Sequence, residues 1–430
     1  MPRSPHPHDA YRLIGGAGDD AVAHGLANAA WYQCPLPRPL MKDLMKRRDG
    51  RAIRDTVLWF AAIGVAGALA VWAWTLQSWW ALPAFLLYAG LYAGPADSRW
   101  HECGHGTAFK TRWMNDTLYQ VAAFMLLRQP TVWRWSHARH HTDTLVTGRD
   151  PEIAVPRPPS LLYLGLALFN LHGGLRELRA VLRHARGTVG AAEATFVPAT
   201  EHRRVVREAR AWLAVYAAIA VACVATRSIL PALLVGPVPA LAGAWLYLFF
   251  GLPQHAGLPE NVLDHRLNCR TVYMNPVFRF LYWNMNYHVE HHMFPMVPYH
   301  ALPRLHEAIC ADCPTPYPNM LSAYREIVAA VLRQRRDPHL LRAARTAAPG
   351  RPGPVRARGR GRPGHSRSIP TRRQQCPNGF RSAHSMRSTT KTCCASTTAA
   401  APTRSTATTT RSTPRPDCAR TSACTSPTAC

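Results

Sequence analysis

The sequence predicts an all-α integral membrane fold, with four transmembrane helices in two hairpins and a cytoplasmic helical cap. Three observations support this prediction. Apolar residues of the 430-residue chain gather in long uncharged runs, eight of the 21 histidines fall in three short clusters outside those runs, and the excess of 51 Lys and Arg over 24 Asp and Glu also lies outside them. A soluble chain of this length would instead form two or three globular domains.

The first hairpin is predicted from two apolar runs joined by a short link. Val57–Thr75 contains 19 residues without a charge, which is long enough to cross a hydrocarbon core. Trp79–Ala96 forms the second run. Four tryptophans surround the predicted tip of the hairpin: Trp72, Trp74, Trp79 and Trp80. Indoles favour the headgroup region, although helix packing alone is an equally good explanation of this cluster.

The second hairpin is less regular. Ala211–Thr226 is uncharged but short, and Ile229–Gly251 is longer but contains three prolines. Prolines are tolerated in membrane helices where neighbours satisfy the freed carbonyls, so we expect a kinked fourth span. Two shorter apolar stretches, Leu118–Leu127 and Leu161–Leu171, are too short to cross and are interpreted as interfacial or re-entrant helices.

The charge pattern divides the chain into three parts. Basic residues between Arg38 and Arg54 precede the first run, which by the positive-inside rule places residues 1–55 in the cytoplasm. Residues 56–344 form the predicted membrane domain. Residues 345–430 carry 16 Lys and Arg against one acid and are rich in Arg, Thr, Ser and Pro, so we expect a disordered basic tail. A frameshifted gene end would explain the same composition, and we do not expect a nucleic-acid partner.

Three histidine clusters lie on the predicted cytoplasmic side. HECGH contributes His101 and His105, HARHH contributes His137, His140 and His141, and HVEHH contributes His288, His291 and His292. Offsets of three and four residues place the rings of each cluster on one helix face. Crowded imidazoles depress one another's proton affinity, whereas a bound cation makes each neutral ring nitrogen a favourable ligand. The pattern therefore predicts a metal site.

The eight histidines exceed the ligands of one tetrahedral zinc ion. They suffice for two metal ions with open positions, and imidazoles suit iron, copper or zinc alike. The predicted location, beneath the ends of lipid-embedded helices, favours a centre that attacks C–H bonds. Zinc lacks redox chemistry, so iron with dioxygen is the preferred assignment.

The extended motifs resemble the membrane fatty-acid desaturase superfamily, which has three histidine boxes about two transmembrane hairpins. The strings HECGHGTAFKTRWMND, WRWSHARHHTDT followed by GRDPE, and NYHVEHHMFPMVPYHALPRLHE carry the resemblance. They are most similar to bacterial desaturases and hydrocarbon oxygenases, including the rhizopine-catabolism oxygenase group. The resemblance covers roughly Pro39–Leu341.

The resemblance implies nine ligands to two non-haem iron ions. These are His101, His105, His137, His140, His141, His255, His288, His291 and His292. Within this set His255, in PQHAGL, corresponds to a further histidine that many members have near the end of the last span; its alternative role is capping that span. Six carboxylates near the boxes are candidates to hold second ring nitrogens, and we expect two or three to do so: Glu102, Asp143, Asp150, Glu152, Asp264 and Glu290.

The implied function is desaturation of a fatty acyl chain with dioxygen and two electrons. A hydroxylase or ketolase of an alkane, lipid or carotenoid is the alternative on the same scaffold, and a metal-binding membrane protein without oxidative chemistry is a third. The chain lacks dinucleotide-binding, fused cytochrome b5 and ferredoxin-like motifs. We therefore expect an external ferredoxin or rubredoxin with its reductase. In a bacterium the protein would lie in the plasma membrane, with its active site on the cytoplasmic side.

Overall fold

Helices provide the regular structure of the computed structural model, which describes residues 8–338 and 340. The predicted tail from residue 345 lies outside the described residues. Within them the chain has no strand, only isolated bridges between Thr271 and Tyr287 and between Val272 and Tyr317. The all-α prediction is confirmed for this part of the chain. The helices are α1 Gly16–Ala23, α2 Arg38–Leu44, α3 Asp49–Thr75, α4 Ala81–Gly104, α5 Arg112–Met125, α6 Pro130–Thr142, α7 Leu161–Ala167, α8 Leu171–Ala185, α9 His202–Ala225, α10 Leu230–Leu234, α11 Pro237–Ala242, α12 Ala244–His255, α13 His265–Asn268, α14 Pro276–Leu281, α15 His288–Met293, α16 Leu302–Ile309 and α17 Met320–Arg336.

The first hairpin consists of α3 and α4, which pack against each other. Trp59 is fully buried between them and donates from Nε1 to the carbonyl of Leu91 at 2.8 Å. Helix α4 continues eight residues beyond the predicted apolar run and ends at Gly104, inside the first histidine box. Burial of its last turns, from Asp97 to Cys103, makes α4 the scaffold that holds this box in the protein interior.

Small residues allow α4 to approach α11 and α12 closely. A Cβ at Gly90 would lie 2.6 Å from the Trp245 ring, and a Cβ at Gly243 would lie 1.7 Å from the carbonyl oxygen of Ala89. Close approach of backbones through glycine is how helices commonly associate in membranes. The packing brings the end of α12, with His255, towards the end of α4.

Two helical stretches are long and apolar enough to cross a membrane, Arg38–Thr75 and Ala199–Ala225. Their outer faces expose apolar side chains, with Val65 63% and Val224 78% accessible. Such faces are typical of surfaces covered by lipid or protein. The fourth predicted run is divided among α10, α11 and α12, with a break at Gly236, whose φ of +91° is readily adopted only by glycine.

Helices α13–α16 and the loops between them form the cap, which contacts the histidine-bearing end of α4 through buried polar groups. The Arg99 guanidinium on α4 lies 5.0 Å from the ring centroid of Trp59 and 4.6 Å from that of Trp283. It also donates to the carbonyls of Phe280 and Leu281, at the end of α14. Because the Arg99 side chain contacts both the last carbonyls of α14 and the aromatic rings, it fixes α4 relative to the cap.

An N-terminal strap, residues 8–36, crosses the cap. The backbone N–H of Tyr32 donates to Leu263 O at 3.1 Å, and Gln33 Nε2 donates to Met293 O at 3.0 Å. Met293 directly follows the third histidine box. The strap therefore contacts the segment that carries this box.

Candidate metal centre

Helix α4 presents the first box. His101 and His105 are one turn apart, with ring centroids separated by 5.3 Å. The helix ends at Gly104 with His105 as its C-cap, and Gly106 then adopts a φ of +68° that favours glycine. The turn is closed by a hydrogen bond from the N–H of Gly106 to the carbonyl of Cys103 at 3.0 Å. Both imidazoles therefore lie on one side of the buried end of α4.

Helices α6 and α15 present the other two boxes. Pro130 stands at the first position of α6, where its missing N–H costs nothing, and the three histidines occupy the last two turns of that helix. Helix α15 has only six residues and is fully buried. It is held at its start by the bridge from Tyr287 to Thr271. Short length and complete burial leave its three imidazoles directed into the protein.

Five imidazoles form the first group: His101, His105, His137, His141 and His291. Their ligand atoms lie within 4.8 Å of one another. The Nε2 atom of His105 is 3.1 Å from those of His137 and His141, and the Nε2 atoms of His101 and His291 are 2.6 Å apart. All three boxes contribute to this group.

Four imidazoles form the second group: His140, His255, His288 and His292. Ligand atoms of His140, His255 and His292 lie within 4.8 Å of one another. His288 joins them, with its Nε2 atom 2.9 Å from that of His255 and 3.0 Å from that of His292. The two groups adjoin, since the rings of His141 and His292 stack at 4.3 Å.

Five of the box rings favour the neutral form. Burial, reinforced by neighbouring imidazoles, lowers the pKa of five box histidines well below the usual value: His105, His141, His288, His291 and His292. Two neutral rings that face each other through Nε2 share at most one proton, so convergent nitrogens cannot all be satisfied by hydrogen bonds among themselves. A cation at the centre of each group satisfies them all, and the donor set fits two metal ions.

Two carboxylates hold second ring nitrogens, as the sequence led us to expect. Asp150 Oδ2 lies 2.9 Å from His140 Nδ1, and Glu152 Oε2 lies 3.2 Å from His137 Nδ1. Burial alone would raise the pKa of Glu152, but the adjacent His137 ring lowers it to about 2. Burial likewise opposes charge on His140, yet Asp150 outweighs it and the pKa of His140 is raised. Each carboxylate fixes the tautomer that directs Nε2 into a group.

The other four carboxylates have different partners. Glu102 accepts from the N–H of Tyr299, and Asp143 accepts from Arg149, while Asp264 accepts from the N–H of Arg266. Glu290 holds His306, through Nδ1 at 2.5 Å, rather than a histidine of either group. These contacts position loops and helices around the centre and leave its ring nitrogens to Asp150 and Glu152.

Sequence reasoning missed a tenth histidine beside the second group. His265, which is not among the predicted ligands, stacks on Trp31 with centroids 4.2 Å apart and lies 5.0 Å from the ring of His292. Its ring and the thiol of Cys269 form a third set of potential ligand atoms with His292. The four-residue spacing of His265 and Cys269 was the available signal.

A cavity of about 220 Å³ opens against both groups. His101 and His137 of the first group line it, as do His140, His255 and His288 of the second. Helices α4, α6 and α12 supply part of its wall, and α7, α8 and the loop at residues 151–157 supply much of the rest. A molecule in this cavity would face the nitrogen atoms of both groups.

Comparison of the sequence with known protein families identifies the family of this chain. The fatty acid desaturase profile matches residues 77–324, which include all three boxes and His255. The chain belongs to the fatty acid desaturase family. The resemblance seen in the motifs is thereby confirmed. Membership makes the chain an oxidoreductase, and the family is membrane-associated.

Relatives of this desaturase-family chain include acyl-lipid desaturases. The sn-1 oleoyl-lipid 12-desaturase of Anabaena variabilis is 22% identical over 292 residues, 67% of this chain and 71% of the relative. The Delta(12)-fatty-acid desaturase of Arabidopsis thaliana is 37% identical over 62 residues, 14% of this chain and 16% of the relative. The sn-1 acyl-lipid omega-3 desaturase (ferredoxin) of Nostoc sp. is 33% identical over 85 residues, 20% of this chain and 24% of the relative.

Proposed function

We propose that the protein is a membrane-bound non-haem di-iron oxidase that desaturates a fatty acyl chain. The observation that carries the proposal is the division of nine imidazoles, six of them buried and three half-buried, into a group of five and a group of four beside one cavity. Family membership and the acyl-lipid substrates in the names of its relatives support the acyl chain.

The chain's own residues would prepare the chemistry. His101, His105, His137, His141 and His291 would hold one iron ion, and His140, His255, His288 and His292 would hold the other. Together with dioxygen and two electrons, iron bound in these sites would supply the oxidising chemistry that removes hydrogen from a methylene. Asp150 and Glu152 keep two rings in the ligating tautomer. Burial of the boxes excludes bulk water from the reacting groups.

The membrane topology belongs to the same proposal. We expect four spans, with α3 and α4 as the first hairpin and α9 with the broken α10–α12 segment as the second. The described extent of residues 56–338 would be the catalytic domain, with residues 1–55 on the cytoplasmic side. This arrangement places the histidine boxes at the cytoplasmic surface of the plasma membrane of a bacterial cell. A ferredoxin-type donor is supported by the name of the Nostoc relative.

Lipid mass spectrometry of cells that express the full chain tests the reaction. We expect acyl chains that have lost two mass units, and no such product with His140→Ala. A gain of sixteen mass units would instead establish hydroxylation, the alternative on this scaffold. Metal analysis of the purified protein is the second measurement. Zinc held tightly in cells, together with no oxygen consumption, would overturn the oxidase proposal.

A further inference from the structure

The wall of the cavity next to the histidines carries a buried ion pair. Asp97 lies one helical turn before His101, so its carboxylate occupies the same side of α4. Arg128 Nη1 donates to Asp97 Oδ1 at 2.6 Å, and the two side chains are only 10% and 8% exposed. Both residues line the cavity. A charged pair therefore stands beside the proposed reaction centre.

Aromatic rings fix the arginine of this pair. The Arg128 guanidinium lies 4.3 Å from the ring centroid of Trp100, 4.8 Å from that of Trp133 and 5.0 Å from that of Tyr247. All three aromatic residues also line the cavity. Such a cage holds the cation in place and leaves Asp97 with a fixed orientation. The pair is thus a rigid part of the wall.

Apolar side chains line much of the rest of the cavity, but hydrocarbon is a poor match for the part of the wall that carries this pair. An apolar pair of similar volume would be about as stable as a buried ion pair, so stability alone does not explain the charges. A methylene chain packed against them would remove water from Asp97 and Arg128 without returning a hydrogen bond, which costs free energy. A hydroxyl group at the same position can donate to the carboxylate. The wall therefore favours a chain with a polar substituent.

The remaining charges of the cavity exclude a carboxylate as that substituent. Arg157 pairs with Glu260 at 3.3 Å, and Arg176 pairs with Glu177 at 3.2 Å. With Arg128, each arginine that lines the cavity is already engaged by an acid. An anionic group in the cavity would be repelled by these carboxylates, and each arginine there already pairs with one of them. The recognised group is therefore neutral.

We propose that the cavity selects an acyl chain bearing a neutral hydroxyl group, which hydrogen-bonds with the Asp97–Arg128 pair beside the reacting carbons. This inference rests on the proposed function and narrows its substrate class. Because Asp97 stands one helical turn before His101, the pair would contact the substrate close to the histidine groups rather than at a remote headgroup.

Binding of matched esters tests the proposal. The full iron-loaded chain in lipid nanodiscs, kept free of dioxygen so that no turnover occurs, is offered octadecanoyl methyl esters that are plain or carry one hydroxyl at successive carbons. Competition against a radiolabelled hydroxy ester gives relative affinities. We expect at least one hydroxylated ester to bind about tenfold more tightly than the plain ester, as fits a hydrogen bond to a charged group. Equal or tighter binding of the plain ester would overturn the proposal.

A paired variant assigns the preference to this wall. Asp97→Leu with Arg128→Met replaces the ion pair by apolar side chains and should bring the affinity ratio close to one. Asp43→Leu with Arg304→Met removes an ion pair of 2.9 Å outside the cavity and should leave the ratio unchanged. If the cavity variant keeps the preference, the Asp97–Arg128 pair is not its source and the proposal fails.

Turnover separates this inference from the proposed function. Iron-loaded protein with dioxygen and an electron donor that desaturates plain and hydroxylated esters equally would retain the function and overturn the inference. Protein that binds hydroxylated esters preferentially but oxidises none would support the binding preference and overturn the function.

Discussion

The two histidine groups differ in how their rings are supported. In the first group, Glu152 holds His137, whereas the Nδ1 atoms of His141 and His291 are buried without a hydrogen-bond partner among the described residues. In the second group, Asp150 holds His140, while the carbonyl of Asn268 lies 2.8 Å from His255 Nδ1 and Thr144 Oγ1 lies 3.3 Å from His292 Nδ1. His288 is the exception in this group, since its Nδ1 atom is buried without a hydrogen-bond partner among the described residues. The first group has more rings, whereas in the second group a larger share of the rings has a hydrogen-bond partner outside the group.

This difference indicates two ways to build an imidazole site. Five convergent ligands tolerate loose orientation of one ring, because four others remain. Four ligands leave less reserve, and three of the four rings are oriented by partners outside the group. We therefore expect the first group to depend on ligand number and the second to depend on its supporting contacts. The predictions below test this contrast, beginning with the largest effect.

Acid should destabilise the metal-free protein strongly. Five box histidines have a lowered pKa, so below about pH 6.5 the unfolded chain binds more protons than the folded chain. The free energy of unfolding should then fall by about 1.4 kcal/mol per pH unit for each such histidine that stays neutral when folded. Denaturant unfolding of the metal-free chain in detergent at several pH values measures the slope. A flat profile below pH 6.5 would contradict the neutral rings.

Acid should also distinguish the groups in the metal-loaded protein. The pKa of His140 is raised, because Asp150 outweighs burial, whereas the pKa of His141 and His291 is lowered. A proton therefore competes with the metal ion for the His140 ring at a higher pH than for the rings of His141 and His291. We expect two steps of iron release as the pH falls, with the second group losing its ion first. Release of both ions in one step would show that the groups do not differ in this way.

Removal of one ligand should lower the iron content more in the second group, which has four rings, than in the first group, which has five. His292→Ala leaves three rings in the second group, and we expect iron content to fall from about two ions to about one per chain. His291→Ala leaves four rings in the first group and should retain more iron. His292→Ala should therefore lose at least about 100-fold in desaturation, since both ions are required, and His291→Ala should lose less. Elemental analysis and turnover measure these effects.

The control for both histidine variants is His172→Ala. His172 is an exposed histidine that lies edge-on to Tyr163, outside both groups. We expect it to keep both iron content and rate. Equal iron loss from His291→Ala and His292→Ala would remove the proposed difference in reserve.

Removal of one supporting carboxylate should affect the second group more. Asp150 accepts from His140 and also from the N–H groups of Leu145 and Glu152, so Asp150→Asn disturbs both the ring and its loop. We expect metal affinity of the second group to fall by about 10- to 100-fold. Glu152→Gln should cost less, because His137 has four companions. Iron titration of both variants checks the order, and a larger effect of Glu152→Gln would reverse our interpretation.

Sequence patterns predicted the helical boxes because ligand spacing follows the helical repeat. Offsets of three and four residues placed His137, His140 and His141 on one helix, as the structure shows. The pattern could not assign rings to groups, since His137 and His141 enter one group and His140, between them, enters the other. That division depends on how α4, α6 and α15 cross. The ligand roles themselves stay predictions.

The membrane part of the fold was predicted less completely. Hydropathy identified the apolar runs, and two helices are long enough to span, but Ile229–Gly251 forms short helices whose breaks depend on local glycine conformation and contact with α4. Four spans therefore stay a prediction. His265 was missed for a similar reason, since its proximity to His292 arises only when α13 packs against α15.

The smallest effect should come from the strap. Trp31 stacks on His265 with an interplanar angle of 3° and donates from Nε1 to Thr142 O at 2.9 Å, at the end of α6. Trp31→Ala removes both contacts beside the second group and should cost about 1–2 kcal/mol of stability, whereas Trp31→Phe keeps a stacking ring and should cost about half as much. Thermal unfolding and iron release from the second group measure the loss. Trp113→Ala, at a 63% exposed position, is the matched control and should change neither. Equal effects of Trp31→Ala and Trp31→Phe would show that the hydrogen bond alone supports His265, because both variants lack it and only one lacks the ring.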